Sequence, residues 1–91
     1  MKFRLGAENL WKFLGGYLGI TVETQEEYDE LMEYLESLWL RWYGTKESPT
    51  SFEVFEVREY GIDIYYSSFE GITWFYRGMD AVKFSKLKDE L

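Results

Sequence analysis

Apolar residues recur every three or four positions from Tyr28 to Trp42, and few folds without an amphipathic helix accommodate that spacing. Thr24 followed three residues later by Glu27 has the form of a capping box, which starts a helix. The sequence therefore predicts one long helix over about residues 24–43, ending just before a glycine. Its apolar stripe would face a core and comprises Tyr28, Leu31, Met32, Leu35, Leu38, Trp39 and Trp42.

The pattern changes from helical to strand-like after Pro49, the only proline in the chain. Three segments there are rich in β-branched and aromatic residues and are bounded by glycines: 52–59, 62–69 and 72–77. Because the connections between them are short, we expect a three- to four-stranded antiparallel β-meander over about residues 52–77. A helical first half and a strand-rich second half indicate an α+β fold in a single domain, residues 1–91.

The remaining segments are less regular. Apolar residues at helical spacing predict a short N-terminal helix near residues 7–14, which the Gly15-Gly16 pair would end. Residues 20–22 fit a short strand, and residues 79–91 fit either a helix or a strand.

Alternation along the last two predicted strands divides their side chains between two faces. One face would pack against the helix stripe and carries Ile62, Ile64, Tyr66, Ile72, Trp74 and Tyr76. The other carries the aromatic residues Tyr65, Phe69 and Phe75. These three rings fit a second core covered by the N-terminal helix, or an interface with a partner or with a second copy of the chain. A third interpretation, which the negative net charge disfavours, is that the rings stack on the bases of single-stranded nucleic acid.

The charge of the chain is concentrated in the predicted long helix. Residues 23–36 hold seven acidic residues and no Lys or Arg, whereas the rest of the chain holds ten acidic and ten basic residues, so this segment accounts for the net charge of −7. Within the predicted helix, from Glu26 to Glu36, six acid pairs stand three or four positions apart, and their repulsion would cost roughly 1–3 kcal/mol. The helix dipole favours acids only in the first turn and does not explain Glu33 or Glu36. The simpler interpretation is that these acids keep the chain soluble. The alternative is that their negative electrostatic field takes part in binding a partner.

An acidic helix face suits a basic groove on another protein. Carboxylates along a helix rise about 1.5 Å per residue, and duplex DNA carries one charge per about 1.7 Å. We therefore expect a nucleic-acid mimic that docks into the basic groove of a nucleic-acid-binding enzyme and inhibits it. In size and charge, though in no motif, the chain is similar to nuclease immunity proteins and to phage anti-defence proteins such as anti-CRISPRs. The candidate partner-binding residues supply charge and two apolar anchors: Glu26, Asp29, Glu30, Glu33 and Glu36, with Leu40 and Tyr43.

The alternative function is a homo-oligomeric structural or regulatory protein, possible as a homodimer, in which Tyr65, Phe69 and Phe75 form the interface. Catalysis is disfavoured because the chain has no His, no Cys and no glycine-rich phosphate loop. We therefore expect no enzyme, no cofactor, no metal site and no direct contact with nucleic acid. The absence of a long apolar stretch, a signal peptide and cysteine predicts a cytoplasmic protein that does not enter a membrane.

Overall fold

The structure is a computed structural model that describes residues 3–51, 61–76 and 81–89. The predicted α+β class is confirmed, whereas the predicted strand over residues 52–59 lies outside the described residues. In chain order the described elements are α1 (Ala7–Leu14), β1 (Ile20–Val22), α2 (Gln25–Ser37), a 3-10 turn (Pro49–Ser51), β2 (Ile62–Ser67), β3 (Gly71–Tyr76), β4 (Val82–Lys83) and α3 (Phe84–Asp89).

Within the described residues the strands form one mixed sheet in the order β3-β2-β1-β4. Strand β2 pairs antiparallel with both β3 and β1, whereas β1 and β4 run parallel. The prediction of a purely antiparallel meander over residues 52–77 is therefore wrong. Strand β1 comes from the first half of the chain and lies between two strands from the second half. Strands of two or three residues are too short for alternation to reveal such a pairing.

Helix α2 begins as predicted but ends at Ser37 rather than at residue 43, so the prediction of one long helix is wrong. At its start the Thr24 side chain accepts a hydrogen bond from the N–H of Glu27 at 3.1 Å. The Glu27 carboxylate accepts the N–H of Glu23 at 2.8 Å, one residue before the expected donor. The predicted N-cap is thus confirmed, with a shifted reciprocal bond.

The end of α2 is a Schellman motif built around Trp39, which has a left-handed backbone with φ of 65°. The Trp39 N–H donates to the carbonyl of Glu36 at 3.0 Å, and the Leu40 N–H donates to the carbonyl of Leu35 at 3.3 Å. Glycine is the usual residue here, because a Cβ disfavours the left-handed conformation. A tryptophan in its place hides the helix end from sequence-based prediction.

The helices and the sheet enclose one core. Ile62, Ile64 and Ile72 are almost fully buried, which confirms the predicted core face of β2 and β3. The ring of Phe13 in α1 stacks on Tyr66 with centroids 6.1 Å apart. The other buried apolar residues come from α2, α3, β1 and the connecting segments: Phe3, Leu5, Leu18, Ile20, Val22, Tyr28, Leu31, Met32, Leu35, Leu40, Trp42, Phe84 and Leu87.

Two further predictions are settled by this packing. Because α1 packs through Phe13 against the core face of the sheet, it does not cover Phe69 or Phe75, and the expected second core beneath α1 is wrong. Residues 79–91 were compatible with a strand or a helix, and the described part contains both, β4 followed directly by α3.

Candidate partner-binding surface

Five carboxylates project from the outer side of α2, and we call them the acidic surface: Glu26, Asp29, Glu30, Glu33 and Glu36. Four of them are exposed, and Glu30 is half-buried. The buried residues of α2 are Tyr28, Leu31, Met32 and Leu35. Because helix positions three and four apart share a face, the acids and the core residues occupy different sides of the helix. The structure thus brings the predicted charged residues together, and their role in binding stays a prediction.

A lysine of α3 pairs with one carboxylate of the acidic surface, and a lysine of β4 pairs with Glu23, which precedes α2. Lys88 Nζ lies 3.1 Å from Glu30 Oε2, and Lys83 Nζ lies 3.8 Å from Glu23 Oε2. Such exposed pairs contribute about 0.2–1 kcal/mol each. Glu26 and Glu33 make no hydrogen bond or ion pair with another side chain among the described residues. Within this described part of the chain, only Glu30 of the five is in an ion pair, and Glu26 and Glu33 are the two carboxylates with neither a hydrogen bond nor an ion pair.

Glu36 holds the 3-10 turn against the end of α2. The hydroxyl of Thr50 donates to Glu36 Oε1. This hydrogen bond is the main cause that lowers the pKa of Glu36 below its ordinary value. The hydroxyl of Ser48, the backbone N–H of Thr50 and the charge of Arg41 lower the pKa further, while desolvation opposes them. Glu36 thus has a structural role at a helix end where the dipole disfavours a carboxylate.

The two predicted apolar anchors are not part of the acidic surface. Leu40 is only 9% exposed and belongs to the core, so its expected place among the acids is wrong. It directly follows the left-handed residue of the Schellman motif, a position that commonly packs inward against the helix. Tyr43 is exposed but lies beside β3, where its N–H donates to the carbonyl of Ile72 at 2.9 Å.

The predicted second interface is divided between two places. Tyr65 is half-buried, and its ring covers Gly19 so closely that a Cβ there would collide with it. The rings of Tyr65 and Phe75 meet edge to face with centroids 5.7 Å apart, and Phe75 is exposed. Phe69 lies apart from this pair, in the turn between β2 and β3.

A concave notch lies within the acidic surface. It has a volume of about 340 Å³ and is lined by Phe3, Glu30, Glu33, Tyr34, Glu36 and Ser37. The rings of Phe3 and Tyr34 meet edge to face with centroids 5.4 Å apart. Carboxylates beside an aromatic ring are the surroundings that a guanidinium or ammonium group prefers. The notch therefore has the size and chemistry to accept a basic side chain.

Sequence-based prediction missed two kinds of residue. The side chain of Trp39 is 83% exposed, although its spacing assigned it to the apolar stripe. A buried polar pair was also missed: Thr21 Oγ1 donates to Asp63 Oδ1 at 2.6 Å, and both residues are almost fully buried. The one signal for Asp63 was its position between Ile62 and Ile64, which places it on the opposite face of β2.

In the part of the chain that the structure describes, no group of three or more acidic residues is arranged to hold a metal ion. No helix among these residues is both long enough and apolar enough to cross a membrane. The chain matches no protein-family model, no curated protein and no solved structure.

Proposed function

We propose that this chain is a non-enzymatic binding protein whose acidic surface docks onto a basic surface of another protein. The observation that carries the proposal is the notch, because it combines Glu30, Glu33 and Glu36 with the ring of Tyr34. A Lys or Arg of the partner would enter the notch, and the neighbouring carboxylates would complement further basic residues around it.

The spacing of the acids supports a more specific proposal. From Glu26 to Glu36 the helix axis advances about 15 Å, so the five carboxylates are spaced on average about 4 Å apart along that axis. Phosphates along one strand of duplex DNA follow one another at about 3.4 Å. The carboxylates of α2 therefore have nearly the same linear charge density as one nucleic-acid strand, and a basic groove that binds such a strand would complement them. The chain would then act as an inhibitor that competes with nucleic acid.

The hydrogen bonds of the acidic surface favour such a role. Glu30 is held by Lys88, Glu36 by Thr50, and Asp29 by the side-chain amide of Gln25 at 3.0 Å. Carboxylates that are fixed before binding lose less conformational entropy when the partner arrives. Glu26 and Glu33 make no such contact with the described residues and remain available to pair with basic side chains of the partner.

The test is a charge reversal at Glu26 and Glu33, the two carboxylates that have neither a hydrogen bond nor an ion pair with another described side chain. Glu26→Lys with Glu33→Lys should abolish capture of basic, nucleic-acid-binding proteins from a nuclease-treated extract of the source cells. The matched control is Glu8→Lys with Glu47→Lys, which changes the net charge equally at exposed positions outside α2. The captured protein, once purified, should lose its bound DNA or RNA oligonucleotide when the wild-type chain is added.

The salt dependence and the control variant decide the outcome. Binding should weaken steeply as salt is raised, because steering and charge pairing are screened. Equal loss of capture in both charge-reversed variants would show a nonspecific effect of net charge and would contradict the proposal. Capture that survives the α2 reversal would contradict it as well.

A further inference from the structure

Four exposed aromatic residues lie on segments whose backbones meet near the closed end of the β2–β3 hairpin, and we call them the hairpin-end surface: Tyr17, Trp39, Tyr43 and Phe69. Their side chains are 86%, 83%, 57% and 98% exposed, respectively. Single exposed aromatic residues are common on proteins, whereas a group of them on one surface usually marks an interaction site.

Close backbone contacts bring the segments that carry these residues to the same end of the sheet. Ile72 donates to the carbonyl of Arg41 at 2.8 Å and accepts the N–H of Tyr43 at 2.9 Å. These bonds hold residues 41–43 beside Ile72. Trp39 is two residues before Arg41, and Phe69 is three residues before Ile72. On the other side of the hairpin, a Cβ placed on Gly16 would lie 3.4 Å from the carbonyl oxygen of Tyr66, which pairs with Ile72.

The backbone of Trp39 gives an independent reason to assign a role to this surface. Its left-handed conformation costs free energy for any residue with a Cβ, and glycine would avoid that cost. The ring recovers little of this cost within the chain, because most of it is exposed. A large aromatic residue at a position that suits glycine indicates that the ring is used outside the monomer.

We propose that the hairpin-end surface binds a second copy of this chain and forms a two-fold symmetric dimer. The four rings expose about 500–800 Å² at 150–250 Å² per aromatic side chain. A stable interface buries about 800 Å² per partner. The rings with their immediate neighbours therefore supply the area that a dimer needs.

The charges around the surface favour a second copy as the occupant. The chain carries a net charge of −7, so two copies repel each other unless they meet away from the acidic surface. The exposed charged residues on the hairpin-end segments are balanced, with Arg41 and Lys46 against Glu47 and Glu70. A two-fold axis allows the basic residues of one copy to face the acidic residues of the other. The acidic surface of each copy would remain accessible.

The experiment is sedimentation velocity of the whole chain between about 1 μM and 1 mM, the usual range of moderate dimer affinities. We expect a reversible monomer–dimer equilibrium in the wild type. Trp39→Gly and Phe69→Ser should each weaken the dimer at least about thirtyfold, the loss typical of truncating a buried interface aromatic. The matched control is Trp11→Gln, since Trp11 is a similarly exposed tryptophan that lies on α1 and is not one of the four residues of the hairpin-end surface.

A folding measurement separates loss of the interface from loss of the fold. At a concentration where the chain is monomeric, Trp39→Gly should leave the urea midpoint unchanged or raised. Monomeric behaviour of the wild type up to about 1 mM would overturn the proposal. A dimer that resists both substitutions, or is weakened equally by Trp11→Gln, would overturn it too. So would a monomer whose exposed rings instead bind phosphatidylcholine vesicles.

Discussion

Comparing glycine with alanine at position 39 tests the helix end directly. If residue 39 were inside a long helix, as its spacing predicts, Trp39→Ala would be more stable than Trp39→Gly by about 1 kcal/mol. In the Schellman motif the sign reverses. The left-handed backbone costs a residue with a Cβ about 1–2 kcal/mol. The greater freedom of glycine in the unfolded chain offsets about 0.5–1 kcal/mol of that advantage.

The expected net result is that the glycine variant is more stable than the alanine variant by about 0.5–1 kcal/mol. Both variants remove the same ring and so lose the same small buried area, and that loss cancels in the comparison. Both also remove the proposed dimer contact, so their difference does not depend on association.

The assay is urea denaturation of both variants at low micromolar concentration, followed by far-ultraviolet circular dichroism. With an m-value of about 1–3 kcal/mol/M, a difference of about 1 kcal/mol shifts the urea midpoint by about 0.3–1 M, which is readily resolved. Trp42→Ala calibrates the scale, since Trp42 is almost fully buried and its truncation should cost about 3–5 kcal/mol. An alanine variant more stable than the glycine variant would refute the left-handed assignment of residue 39 and the helix end with it.

Three other predictions follow from single contacts. Thr50→Val should lower the urea midpoint at neutral pH, because it removes the hydrogen bond to the Glu36 carboxylate. The pKa of Glu36 is depressed in the folded state, so the stabilisation by this bond is present above the unfolded pKa of about 4.5 and is lost as pH falls through the folded pKa. A difference in urea midpoint between variant and wild type that stays constant into acid would contradict this. Gly71→Ala should lower the free energy of unfolding by about 3 kcal/mol or more, because the φ of Gly71 is 110° and a Cβ would lie 2.6 Å from the carbonyl oxygen of Arg41. Gly44→Ala should lower it by only about 1–2 kcal/mol in the same assay, because Gly44 has a φ of 80° but a Cβ there would meet no other described atom within 4 Å. Glu33→Gln should stabilise the chain by about 0.5–1.5 kcal/mol at low salt, because it removes the repulsion between Glu33 and three neighbouring acids on α2. The control Glu47→Gln should leave the urea midpoint unchanged, and equal effects of the two variants would show that the spacing of acids on α2 is unimportant.

The parts of the fold that depend on local pattern were predictable from sequence. The cap at Thr24, the first three turns of α2 and the core face of β2 and β3 follow from residue spacing within a few positions. The five carboxylates of the acidic surface were therefore placed correctly on one outer face. Their spacing is fixed by the helix itself and needs no knowledge of the rest of the molecule.

The errors arose where long-range packing or an unfavourable conformation decides the structure. Trp39 continues the apolar spacing, and only its left-handed backbone ends the helix, a conformation that tryptophan rarely adopts. The error propagated to Leu40, which was placed on the acidic side of a helix that has already ended. The pairing of β1 with β4 could not be predicted either, because Ile20 and Val82 are distant in sequence and the strands are short.

The position of β1 in the sheet has a consequence for how the chain acquires its fold. Ile20 pairs with Ile64 on one side and with Val82 on the other, so both partners of this strand are synthesised long after it. The sheet cannot assemble during translation of the first half, and the apolar side chains of Ile20 and Val22 await their partners. Contacts between residues so far apart slow folding, because the connecting chain must be ordered before the contacts can stabilise it. Until β2 is synthesised, α2 and β1 have no sheet to pack against, and the negative charge of α2 disfavours association of the incomplete chain with other chains.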